Sequence, residues 1–156
     1  RVHTLSIGAS KPQDLSLHLE AIKLLDKSDS LVSNIEKNLI NASLASLGKE
    51  WTTTWHQGLP KWEETPGNIN IPVLLWLYNL IESWGMEDYA KARYRLLGNG
   101  SHWFPGSNAD SFDSEVSEQE IKQVLRNSPW INDIPTVLRQ TRDLLSGQSV
   151  QRLSNV

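Results

Sequence analysis

The stretch Asn70-IPVLLWLYNLIESW-Gly85 decides how this chain folds. Between Ile71 and Trp84 only Pro72, Asn79, Glu82 and Ser83 interrupt an apolar run. Asn70 is a side chain suited to an N-cap, Pro72 falls in the first turn where a missing N–H costs little, and Gly85 supplies a left-handed terminus. A helix that is apolar nearly all round belongs in an interior. This one is too short to span a bilayer, which needs about 20 apolar residues. The stretch therefore reads as the central helix, residues 71–84, of an all-α fold. The expected architecture is a single domain over residues 1–156, a bundle of about five or six helices, with flexible ends at 1–9 and 148–156.

Upstream, Ser10-Lys-Pro-Gln13 fits a capping box, with Ser10 as N-cap and Gln13 at the third helical position. Helical periodicity follows through Leu15, Leu19, Ile22 and Leu25, then Val32, Ile35, Leu39 and Ala42, ending near Gly48. The run from Asp26 to Ser30 marks a break or a bend, with Ser28 or Ser30 available as a cap. Residues 51–55 admit two readings: alternation of Trp51, Thr53 and Trp55 in a short extended segment, or a helical turn stacking Trp51 on Trp55. A Trp-pinned loop then leads to Asn70.

Downstream of Gly85, Glu87 and Asp88 open a helix with Tyr89, Ala92, Leu96 and Leu97 on its apolar side and Gly98 at its end. A polar loop covers 99–114. Ser117 and Glu120 form a second capping box, followed by Ile121, Val124 and Leu125. Asp133 caps a final helix, with Pro135 in its first turn, Ile134, Val137, Leu138, Thr141, Leu144 and Leu145 along one face, and Gly147 as its stop.

Composition narrows the function classes. The 156 residues contain no cysteine, which removes disulfides, thiolate metal sites and cysteine nucleophiles, and slightly favours an intracellular setting over a secreted one. A net charge of −3 disfavours a general nucleic-acid or membrane-surface binder. An Arg1 start suggests a processed product, a fragment or a trimmed chain, and the sequons at Asn41 and Asn99 matter only if the protein is secreted. Seven tryptophans point to an aromatic core or an aromatic contact surface.

Five constellations carry candidate chemistry. Ala21, Leu25, Ser28, Val32, Ile35, Leu39, Ala42 and Ser46 repeat at alternating spacings of four and three, a seam that allows a homodimer through helices 12–47. Extra apolar residues widen that stripe and suit packing within the bundle instead. Trp51, Trp55, His56 and Trp62, set among Gly and Pro, could form an aromatic partner-binding platform, or could pin the loop over the central helix. Arg126, Arg139, Arg142 and Arg152, with Lys122 and against Asp133 and Asp143, give residues 121–156 a net charge of +3, and the two helices there have a loose likeness to a helix-turn-helix. Of the four histidines, His56 or His102 beside Glu63, Glu64 or Asp110 would be the place for acid–base catalysis or a small ligand. Read as a calcium loop from Asn108, the chain has Asp113 where glycine is needed and Gln119 where glutamate is needed, so that pattern fails. Residues 110–120, which carry Asp110, Asp113, Glu115, Glu118 and Glu120 and no basic residue, instead load the following helix N-terminus. With no nucleotide, zinc or nucleophile-elbow motif and no cofactor implied, the sequence favours a non-enzymatic helical protein–protein interaction module, an adaptor, effector or assembly subunit. A nucleic-acid binder using the basic C-terminal helices and a motif-free enzyme are the alternatives.

Overall fold

A computed structural model describes residues 8–24, 27–98 and 105–146. The chain is all-α: among the described residues there are seven helices and no strand. They are α1 (Pro12–Ile22), α2 (Ser28–Leu47), α3 (Lys49–Thr54), α4 (Ile71–Trp84), α5 (Glu87–Tyr94), α6 (Glu118–Val124) and α7 (Ile134–Leu145). Short 3-10 turns at Trp62–Glu64 and Pro66–Asn68 lead into α4. The chain divides into two compact units, one up to Asn38 and the other from Leu39 onward.

In the second unit α4 has the boundaries its sequence implies. The Asn70 Oδ1 accepts from the Val73 N–H at 3.2 Å, and Gly85 closes the helix at φ +64. Ile71, Leu74, Leu75, Leu77 and Leu80 are buried. The Asn70 side chain also reaches outward, its Nδ2 donating to the Pro105 carbonyl at 2.6 Å. One residue thus starts the central helix and fastens the 105–107 segment. Ser107 reinforces the link by backbone bonds, its carbonyl accepting from Asn70 and its N–H donating to Asn68. Gly106 sits at φ +84, and a Cβ there would lie 2.9 Å from the Asn68 carbonyl oxygen, so this approach requires glycine.

Packed on α4 are α5 and α7. The buried side of α5 is Ala90 and Tyr94, continued by Leu97, whereas Tyr89 and Ala92 are exposed. The expected apolar face is therefore rotated. Tyr94 is drawn inward because its hydroxyl has partners there, donating to Asp110 at 2.6 Å and accepting from the Ala109 N–H at 3.2 Å. On α7, Ile134, Pro135, Val137, Leu138, Thr141 and Leu145 are buried and Leu144 is exposed. Asp133 occupies the N-cap position of α7, but its backbone is already helical and its side chain caps nothing. Ser117 and Glu120 do form the capping box of α6.

Elsewhere the expectations need adjusting. The capping box of α1 is displaced by one residue: Asp14, not Gln13, accepts from the Ser10 and Lys11 N–H groups. A carboxylate is the stronger acceptor. Residues 51–55 are helical, not extended; each threonine of α3 satisfies its hydroxyl on a carbonyl three or four residues back. Ser30 donates to the Lys27 carbonyl instead of capping α2. Residues 1–7, Leu25, Gly147 and the tail 148–156 lie outside the described residues.

Candidate functional site

The aromatic platform is not assembled as one surface. Trp51 must be withdrawn from it: the residue is 7 % exposed, its Nε1 donates to Asn79 Oδ1 at 2.7 Å, and its ring meets those of Tyr78 and Trp130 edge to face. The helical form of α3 is the physical reason, since it turns Trp51 onto α4. Trp55 is half-buried, packs against the core and touches the His56 ring edge-on, while His56 itself is exposed. Trp62, also half-buried, sits in the 3-10 turn before Thr65. A partner of Trp51 escaped the sequence reading. Trp130 lies with its ring centre 5.0 Å from that of Trp51 and donates Nε1 to the Thr54 hydroxyl at 3.0 Å. These two indoles clamp α3 between α4 and the segment before α7. No local pattern links positions 76 residues apart.

The basic residues of α7 are engaged within the fold. Arg139 makes a two-pronged contact to Asp113, both bonds 2.8 Å, and a third to Glu118 at 2.7 Å, with its guanidinium 5.0 Å from the Phe112 ring centre. Arg142 donates to the Phe112 carbonyl at 2.6 Å and also contacts Asp113 and Asp143. The hydrogen bonds from Arg139 hold the Asp113 carboxyl below its ordinary range. Burial, aided by the bond to Asp110, pushes the Tyr94 hydroxyl up. Asp113 takes a left-handed backbone at φ +68, a conformation costly for a side chain that is not glycine; the two arginines hold it there. The acids of 110–120 thus divide their work: Glu120 caps α6, Asp113 ties the 107–117 loop to α7, and Glu118 ties α6 to α7. Arg126 is exposed, and Arg152 falls outside the described residues.

The seam residues of α2 lie on its surface. Val32, Ile35 and Leu39 are exposed, Ser28 and Ala42 are half-buried, and the Ser46 hydroxyl turns back to the Ala42 carbonyl. Ala21 is exposed on α1. The added apolar residues that favoured burial within the bundle behave differently along the helix. Leu31 and Ile40 are exposed, whereas Leu47 packs against the core.

His102 lies outside the described residues, and His56 has no carboxylate within hydrogen-bond or ion-pair distance among them. No group of three His, Asp or Glu that could hold a metal occurs among the described residues. No described helix is long and apolar enough to cross a membrane. No protein-family model, curated protein or solved structure matches the chain.

Proposed function

We propose that this chain is a non-enzymatic protein–protein interaction module whose docking face is the apolar stripe of α2, and that its partner there is a second copy of itself. One observation supports the reading above the rest: α1 and α2 bury no residue, and between Leu15 and Ile40 ten Leu, Ile and Val side chains are 38–63 % exposed. So many large apolar side chains open to water along two successive helices point to an interaction surface. The occupant follows from spacing. Val32, Ile35 and Leu39 repeat at three and four residues, the interval at which one helix offers knobs to another of the same kind.

The test is native mass spectrometry at two concentrations, on the natural chain and on a Val32→Asp/Ile35→Asp variant. The natural chain should give a species of twice 17.6 kDa whose share grows with concentration. The variant should remain single at both, with its circular-dichroism helix signal retained. A natural chain that stays single at its highest soluble concentration, or a variant that still pairs, would overturn the self-pairing face.

A further inference from the structure

We infer that an aromatic cleft closed on one side by the start of α7 is a binding site for a methylated ammonium group. This proposal does not rest on self-pairing through α2. The cleft encloses about 230 Å³. Its rings are Trp51 of α3, Tyr78 of α4 and Trp130 from the segment before α7. Leu47 and Val137 add aliphatic surface, and Asp133 is its one charged lining residue.

The setting of the rings favours a cation. Trp51 stands at 75° to Tyr78 and at 65° to Trp130, with ring centres 6.3 and 5.0 Å apart. Rings set so steeply to one another form the corner of a box, not a stack. The positive rim of an indole includes its N–H edge, and here both N–H groups are directed to acceptors outside the cleft. Trp51 Nε1 donates to Asn79 and Trp130 Nε1 to Thr54, neither of which lines it. The indole surface left to the cleft is ring carbon, whose π face carries the negative end of the quadrupole.

Charge points the same way. Asp133 is exposed at the N-cap position of α7, yet its side chain caps nothing and enters none of the ion pairs among the described residues. No basic side chain lines the cleft to neutralise it. Burial pushes the Tyr78 hydroxyl up, and the Glu82 carboxylate pushes it further. That wall is therefore an uncharged phenol within the field of a second acid. An anion would be repelled, and a neutral ligand would strip water from Asp133 without replacing it. The lining also separates one kind of cation from another. A primary ammonium brings three N–H donors that each need an acceptor. Beside Asp133 the walls are mostly carbon, and the Ser46 hydroxyl is already turned to the Ala42 carbonyl. A methylated ammonium has no such demand and presents its charge through methyl groups, which suit ring faces and the Leu47 and Val137 side chains.

Binding can be read from the indole Nε1–H resonances of the intact chain at constant ionic strength. The titrants are choline, its neutral carbon isostere 3,3-dimethylbutan-1-ol, and ethanolamine. Choline should shift the Trp51 and Trp130 signals and leave Trp62 unmoved, with a dissociation constant of about 1 mM for so few atoms. The neutral alcohol and ethanolamine should each bind about tenfold more weakly. Asp133→Asn keeps the shape of a side chain that caps nothing, so the fold is retained. That variant should bind choline about fivefold more weakly and the alcohol unchanged. Nα-acetyl-Nε-trimethyllysine methylamide identifies the source of the group. Tighter binding than choline assigns it to a modified lysine of a protein, and equal or weaker binding to a free small molecule; either result upholds the site. The assignment is overturned if choline leaves Trp51 and Trp130 unmoved, if the alcohol or ethanolamine binds as tightly as choline, or if Asp133→Asn leaves the preference for choline over the alcohol undiminished.

Discussion

Helices α2 and α4 are both rich in leucine and isoleucine, yet α4 buries five of its 14 residues and α2 none of its 20. The difference begins in how the apolar residues are distributed. Around α4 they cover nearly the whole circumference, so some part of the helix must be enclosed wherever its neighbours lie. Along α2 they form a stripe between Ser, Asn, Glu and Lys, and a stripe can be covered by the same chain or by another. Apolar content says that a surface seeks cover; its angular spread says whether that cover must come from within.

The largest effect that could break this contrast is a pair of truncations. Leu77→Ala, at a fully buried position on α4, should cost about 2–5 kcal/mol of unfolding free energy through lost contacts and a residual cavity. Ile35→Ala on α2 should change the stability of dilute, unpaired chains by no more than about 0.5 kcal/mol. Urea unfolding of both variants, at a concentration where the natural chain is single, makes the comparison. An Ile35→Ala loss comparable to that of Leu77→Ala would mean that the α2 stripe is covered within the chain.

A second, intermediate effect separates the two ways Asn70 serves the α4 region. Asn70→Ala removes both the cap bond to Val73 and the bond to the Pro105 carbonyl, and should cost about 1–2 kcal/mol. Asn70→Asp keeps an acceptor for the cap and loses the donor, so it should recover only part of that loss. If Asp were as stable as Asn by urea unfolding, the tie to Pro105 would contribute nothing.

The elements legible in the sequence were those specified by neighbours in the chain. Asn70, Pro72 and Gly85 delimit α4, and Ser117 with Glu120 starts α6, because caps act over three or four residues. What could not be read depended on contacts distant in sequence. Trp51 admitted both a surface and a pinning role until Asn79 and Trp130 gave its indole a polar partner and a ring to pack on. Tyr94 was overlooked on α5 because its hydroxyl finds Asp110 and Ala109 on a loop. Arg139 and Arg142 entered the nucleic-acid alternative by their charge and their place on the last helix; only the fold brings Asp113, 26 and 29 residues away, into their reach.

That arginine staple gives the smallest of the expected effects, and it sharpens the contrast from the electrostatic side. Arg139 lowers the Asp113 carboxyl from its ordinary 3.8 because the folded chain favours the ionised form. A carboxyl lowered by folding stabilises the fold fully above its unfolded value and loses that contribution as pH falls through the folded one. Asp113 keeps 36 % of its side-chain surface in water, so screening limits the effect to under about 1 kcal/mol. Arg139→Ala should therefore lower stability modestly at neutral pH. The gap to the natural chain should stay constant down to about pH 4 and narrow below it. Urea unfolding at stepped pH would check this. A gap that held steady into strong acid would assign the role of Arg139 to its packing on Phe112, 5.0 Å away, and not to its charge. The α2 stripe, apolar by contrast, should respond to concentration and hardly to pH over the same range, which gives the two regions separate experimental signatures.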